Sequence, residues 1–323
     1  MKTLNKLLIA ASLTGVIAFN SHPGAAEDVT LGYVAGSLEY PYNVATAKGF
    51  EDEAKKAGVK AVVLDPRGSV EKQANAIDDL IAQGVKGIGF LPLDSVVSQA
   101  WVDKIAEHNL PVVAIAVQVG DPKKASIREV YPKLTALVTT DDVLAGEVAG
   151  ELAAKLLPKD HPAKIGIIEG APGYAVISQR TDGFKQGLDK AGAKYEIVAA
   201  QPTDWTPEKG EAVCQNILTA HPDLDLFFSQ ADDMAIGCSR AIRAAGSSAK
   251  LVATGGGSKL GLDAVKAGEI DGSVCTQPEL LGRLMFKALH DAVKNPSAPK
   301  AQFITYDMPA ITKDTIADCP AAW

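Results

Sequence analysis

Short apolar runs, nearly unbroken and rich in β-branched residues, recur along the chain: Val29–Gly36, Lys60–Asp65, Val85–Pro92, Pro111–Val117, Ala163–Gly170, Tyr195–Ala200, Leu224–Gln230, Lys250–Gly256 and Asp271–Pro278. Between them lie amphipathic stretches that close on glycine, such as Asn43–Gly58 and Arg180–Gly192. Strands that alternate with helices of this length predict βαβ units and parallel sheets. The runs lack in/out alternation, the pattern expected where helices cover both faces of a sheet. There are too many runs for one small sheet, and the rhythm starts again near Leu134–Gly146. The expectation is an α/β fold of two similar three-layer α/β/α lobes with parallel sheets.

In such sheets, ligands bind beyond the carboxyl ends of the strands, where the loops gather. SLEYPYN (Ser37–Asn43), LPLDS (Leu91–Ser95), AVQVGD (Ala116–Asp121), EGAPGYA (Glu169–Ala175), QPTDW (Gln201–Trp205), SQADD (Ser229–Asp233) and TGGGS (Thr254–Ser258) all fall there. SLEYPYN is the most telling, because two tyrosines and a glutamate are more than a plain connection needs. Two lobes that face each other with these loops form a cleft.

The first 26 residues change where this fold must work. Lys2 and Lys6 precede an apolar run from Leu7 to Phe19, which closes on Gly24-Ala25-Ala26. That is the layout of a secretory signal with cleavage after Ala26. The run falls short of the roughly 20 residues a membrane span requires. Cleavage removes two of the 32 basic residues and none of the 39 acidic ones, and so leaves a net charge of −9. An acidic chain without a basic cluster repels nucleic acid. An exported protein with Cys214, Cys238, Cys275 and Cys319 is expected to form disulfides. Cys214 and Cys238 sit on successive crossover helices, which are neighbours, so they pair, and Cys275 pairs with Cys319 by default. Each bond closes a loop worth roughly 3.5 to 4 kcal/mol. Zinc fails on spacing, since no C-x-x-C or close Cys/His pair occurs. No metal or other cofactor is expected.

Enzymatic signals are lacking as well. G-x-S-x-G, H-E-x-x-H and G-x-G-x-x-G do not occur, and GGGSKLG (Gly255–Gly261) misses the last spacing. The histidines are scattered at 22, 108, 161, 221 and 290. A binding protein is therefore expected in place of an enzyme.

Taken together, Pro41 and the aromatic after it, KGFEDEAKKAG, DPRGSVEKQANAIDDLIAQGVKGI, LPLDS, TTDDVLAGEVAGELAAKLL, SQRTDGFKQGL, QPTDWTPEKG, LTAHPDLDLFFSQADDMAIG, LDAVKAGEIDGSV and TQP carry a resemblance over nearly the whole chain. It resembles the periplasmic sugar-binding proteins of ABC importers, the ribose-binding type. The resemblance implies the type I fold, in which three crossings form a hinge and the lobes close on a ligand. The crossings would fall near Thr139–Asp141, Thr276–Pro278 and Ile304–Tyr306. One lobe would take residues 27–139 with 277–304, and the other 140–276 with 305–323.

The resemblance also assigns contacts. Tyr42 matches an aromatic that stacks on the ligand, Asn43 stands where a second often does, and Tyr40 matches a polar contact. Trp205 matches the aromatic of the opposite lobe, Arg180 an arginine that donates to ligand oxygens, and Asp142 a polar contact at the first crossing. Several family positions are altered. Ala116-Val117 replace an Asp-Arg pair, Ala231 an asparagine and Gly256 an aspartate, while Thr276 takes the glutamine position with Gln277 one residue on. A fully hydroxylated sugar would leave hydroxyls unpaired at about 1–3 kcal/mol each.

Two ligands fit this cleft: a polyol, deoxysugar or similar less-hydroxylated carbohydrate, or a small amine set against aromatic walls and a carboxylate such as Glu39 or Asp142. Tyr174 either reaches the cleft or supports it. Asp232 reads as a helix cap, and Trp101 and Phe184 as core. The implied partners are a membrane permease with its cytoplasmic ATPase, with a chemoreceptor or sensor kinase as the alternative reader of the closed form. A periplasmic monomer is expected.

Overall fold

In a computed structural model, residues 29–320 and 323 are described, so the signal segment and its cleavage point lie outside the described residues. The first apolar run becomes β1 (Thr30–Val34) and hands over to α1 (Pro41–Ala57), which Pro41 opens and Gly58 ends in the left-handed region (φ 69°). There follow β2 (Lys60–Leu64), α2 (Val70–Ala82), β3 (Ile88–Phe90), α3 (Ser98–Glu107), β4 (Val112–Ile115) and β5 (Ala136–Val138). The chain then builds α4 (Asp142–Ala154), β6 (Ala163–Glu169), α5 (Val176–Lys190), β7 (Tyr195–Pro202), α6 (Pro207–Ala220), β8 (Leu226–Ser229), α7 (Asp232–Ala245), β9 (Lys250–Ala253), α8 (Lys259–Ala267) and β10 (Ser273–Val274). It ends with α9 (Pro278–Lys294), β11 (Gln302–Ile304) and β12 (Ala310–Ile311).

Two parallel sheets result, with strand orders β11-β5-β4-β3-β1-β2 and β7-β6-β8-β9. The near-continuous apolar runs are explained by burial on both faces. In the first sheet Leu31, Tyr33, Val113 and Ile115 meet α1 and α9, whereas Val34, Ile88, Phe90 and Val112 meet α2 and α3. In the second, Phe227 faces α6 and α7, and its neighbours Leu226 and Phe228 face α4 and α5. Trp101 and Phe184 are core residues, 8% and 0% exposed.

The last predicted strand departs from expectation. Only Ser273 and Val274 make a ladder, and it runs antiparallel to β12. Gly272 and Cys275 touch the second sheet through isolated bridges to Val252 and Gly256. The chain is turning away there toward the first sheet, and Pro278 has no N–H to extend the ladder.

The helix pair α4–α5 sets the site, because Asp142 opens one helix and Arg180 lies on the other. The two backbones nearly touch. A Cβ on Gly183 would overlap the Val143 carbonyl oxygen, and one on Gly146 would overlap that of Arg180. Gly183→Ala is therefore expected to lower stability by about 2–3 kcal/mol, since backbone cannot yield as a flexible side chain does. Urea unfolding measures it, and an unchanged midpoint would contradict this close packing.

Both disulfides are present, Cys214–Cys238 and Cys275–Cys319, with all four residues at most 2% exposed. Among the described residues, no helix is long and apolar enough to cross a membrane, and no group of three or more His, Cys, Asp or Glu is placed to hold a metal ion.

Candidate ligand cleft

The carboxyl-end loops of the two sheets face each other, and the lobes are shut. Tyr40 Oη donates to the Asp204 carbonyl at 3.3 Å, and Ala175 N donates to Ser95 Oγ at 3.1 Å. Gln179 Nε2 donates to Gln118 Oε1 at 2.5 Å, and Ser95 N to the Gly173 carbonyl at 3.4 Å. Each of these bonds joins a loop or helix of one lobe to the other. Between them lies a cleft of about 810 Å³, part of it open to solvent.

Tyr40, Tyr42, Tyr174, Trp205 and Trp323 line it with aromatic rings. Tyr42 meets Trp323 edge to face (centroids 5.8 Å apart, 88°), and Tyr174 meets Trp205 in the same way (5.9 Å, 82°). Such T-shaped pairs hold each ring at a fixed angle. Trp205 also rests on Gly170, where a Cβ would overlap its indole. Trp205 and Ala116 both adopt left-handed backbone without being glycine (φ 70° and 63°). Strain of this kind persists only where the surroundings over-determine it. Leu91, Ala116, Val117, Val176 and Ala231 line the remainder, so the altered positions do leave apolar wall.

Polar groups are few. Arg180, 9% exposed, donates from Nε to Asp142 Oδ1 at 2.7 Å and from Nη1 to the Gln230 carbonyl at 2.5 Å. Its Nη2 has no acceptor among the described residues. Asp142 is fully buried, and burial pushes its carboxyl up to about 6 against the pull of Arg180. Asp142 thus orients Arg180 from behind the wall. Tyr40 lines the cleft beside its latch to Asp204, and Asn43 lines it while Nδ2 donates to the Ser37 carbonyl at 2.8 Å.

Besides Asp142, four expected contacts lie outside the cleft wall. Glu39 is exposed on the turn before α1, where its carboxylate keeps its hydration. Gly256 and Thr276 satisfy each other instead, with Thr276 N and Oγ1 both donating at 2.7 Å to the Gly256 carbonyl. Space beside Gly256 is filled by Ser273. Gln277 turns toward the crossing, where its N–H donates to Tyr306 Oη at 3.0 Å. Asp232 is not a cap either. α7 has no side-chain cap, and Asp232 Oδ1 accepts from Ser273 Oγ at 2.6 Å.

Three aromatic or charged wall residues escaped the sequence reading or were left open by it. Tyr174 reaches the cleft. Asp233, on the first turn of α7, lines it with no hydrogen-bond donor to its carboxylate among the described residues, and burial raises its pKa. Trp323 had one available signal. A disulfide at Cys319 fixes the tail beside the Thr276–Pro278 crossing, and four residues can span roughly 13 Å.

Asp232 offers a test of this polar layout. Complete burial pushes its carboxyl up to about 7 from 3.8. The folded state therefore holds a proton that the unfolded chain has released, so this stability is present below about pH 4 and lost as pH rises through about 7. Relative to Asp232→Asn, the wild type should lose roughly 4 kcal/mol between pH 4 and pH 8. Unfolding at several pH values measures this, and parallel profiles would contradict the burial.

Similarities to known proteins agree with this geometry. A family model described as "Periplasmic binding protein domain" matches residues 31–297. The ribose import binding protein of Bacillus subtilis (strain 168) is 32% identical over 282 residues, 87% of each chain. The D-allose-binding periplasmic protein of Escherichia coli (strain K12) is 30% identical over 302 residues, 90% of this chain and 93% of that one. Among solved structures, the Caulobacter myo-inositol binding protein bound to myo-inositol superposes with a TM-score of 0.79 at 28% identity, over 91% of this chain and 97% of that one.

Proposed function

Because the chain belongs to the periplasmic binding protein family, we propose that it captures a small sugar-like solute for an ABC importer and releases it to a membrane permease. The ligand is a polyol, deoxysugar or similarly less-hydroxylated carbohydrate. One observation carries this reading: a closed cleft whose walls are aromatic faces and whose main donor is a single oriented arginine. Sugar C–H faces stack on such rings, and Arg180 Nη2 donates to a ligand oxygen.

Residues 27–139 with 277–304 move against residues 140–276 with 305–323, about the three crossings. A ligand that touches Tyr42 on one lobe and Trp205 and Arg180 on the other stabilises the shut form, so binding is a shift in population and no bond is made or broken. The Tyr40–Asp204 and Ser95–Ala175 bonds are formed only when shut. The protein works as a monomer in the periplasm, after removal of residues 1–26. A chemoreceptor or sensor kinase could read the same closed form without any change in the site.

A thermal-shift screen of the exported form against sugars, polyols and deoxysugars tests the proposal. Ligand at 100 times its dissociation constant adds about 2.7 kcal/mol, which raises the melting point by a few degrees. Silence across all of them would overturn the carbohydrate reading.

A further inference from the structure

We propose that the cleft selects a carbohydrate-like ligand bearing a protonated nitrogen, an amino sugar or amino polyol, and that Asp233 is its counter-ion. This rests on the solute-binding reading above and specifies what that site accepts.

Charge balance inside the closed lobes is the starting point. Arg180 is the cation of the wall, and Asp142 behind it already offsets its charge through the 2.7 Å bond. Asp233 then remains as a carboxylate with no side-chain counter-ion among the described residues. It faces the cleft from the first turn of α7, and no side chain or backbone N–H donates to it among the described residues. A half-buried carboxylate without a donor gains from a ligand group that pairs with it as the lobes shut. An ammonium group on the ligand supplies both charge and hydrogens.

The rest of the wall suits the same partner. Tyr174 and Trp205 form one edge-to-face pair, and Tyr42 and Trp323 another, so the rings present π faces and edges to whatever enters. Faces of this kind attract a cation as well as sugar C–H groups. Ala116, Val117 and Ala231 offer no side-chain hydrogen-bonding group to the hydroxyls of a neutral sugar. At the other end, Arg180 Nη2 calls for an oxygen. A carboxylate there is disfavoured, since it would stand beside Asp142, so that oxygen is a hydroxyl or ether. The ligand is thus a single cation with an oxygen-bearing end, and not a zwitterion.

Glu39 and Asp142, the two carboxylates foreseen for an amine, are excluded from this role by the geometry. Glu39 is in solvent, and Asp142 is spent on Arg180.

Isothermal titration with matched pairs decides the matter: D-glucosamine against D-glucose, D-galactosamine against D-galactose, and an amino-inositol against myo-inositol. At least one amino member should bind 100-fold or more tightly than its neutral parent. In Asp233→Asn that preference should fall below 5-fold, and Asp233→Glu should restore part of it, with the unliganded melting point marking all three proteins as folded. Tighter binding of the neutral parents would overturn the inference while leaving the solute-binding reading intact. An amine preference that survives in Asp233→Asn would overturn the role of Asp233. If no member of either set bound, the inference would fall together with the carbohydrate reading on which it rests.

Discussion

Arg180→Ala should weaken ligand binding by more than 100-fold, the largest effect of any single substitution in the cleft. The guanidinium is the main donor on the wall, and two of its nitrogens are held by Asp142 Oδ1 and the Gln230 carbonyl. Both bonds are made before the ligand arrives, so little side-chain freedom remains to be lost on binding. Its removal deletes the oriented donor and leaves Asp142 as a buried carboxylate without its partner. Breaking a buried pair in this way costs about 3–5 kcal/mol. Asp142 escapes part of that cost by taking up a proton, because its carboxyl already sits at about 6 and loses the only charge that lowers it. The variant is therefore expected to be less stable, and more so at pH 8 than at pH 5. Arg180→Ala with Asp142→Asn should recover stability and not affinity. Titration calorimetry and urea unfolding at the two pH values measure both effects. Affinity within 3-fold of wild type would mean that the ligand sits elsewhere.

The second large effect belongs to Trp323. Trp323→Ala should cost about 2 kcal/mol of binding energy, roughly 30-fold in Kd, as expected for a half-buried tryptophan that lines the cleft. Tyr42 would lose its edge-to-face partner, and the wall beside it would open. Trp323 is held by more than its ring: Lys259 N donates to its carbonyl at 2.9 Å, and Cys319 four residues earlier is bonded to Cys275. Because the contribution depends on where the tail is pinned, Cys275→Ser with Cys319→Ser should reproduce much of the loss. Adding Trp323→Ala to that pair should then change little. Additive losses would show that the tail and the tryptophan act independently.

Much of the fold could be read from the chain, for a physical reason. Burial on both faces leaves apolar runs that no alternation interrupts, and helix-length stretches ending in glycine separate them. The Cys214–Cys238 bond followed from the same reading, because helices on one face of a parallel sheet must be neighbours, and Cys275–Cys319 followed by default. The short β12 and the antiparallel turn of β10 were not visible, since a two-residue ladder carries no period of its own.

The cleft was legible where the resemblance to the family assigns a ring or a charge. Tyr42, Trp205 and Arg180 stand on the wall. Glu39 could not be placed, because a side chain on a turn points wherever the local backbone sends it, and here that is into water. Asp232 and Asp233 are adjacent in sequence and opposite in role. One helical step, about 100° of rotation, sends the first to Ser273 and the second to the ligand space. No pattern along a chain assigns such a pair before the helix axis is fixed. Gly256 shows the converse case, in which an altered position is filled by a neighbour, Ser273, and offers the ligand nothing.

The bond between Cys275 and Cys319 joins the root of a crossing to the tail that supplies Trp323. In the proposed cleft, ligand capture would thereby be conditional on oxidation. Protein made in a reducing cytosol, although folded around its two sheets, would lack one aromatic wall and hold its ligand poorly. The same chain would become a tight binder only once it had crossed the membrane and formed this bond. Covalent maturation would then keep the precursor from sequestering, on the wrong side, the very solute that the importer delivers.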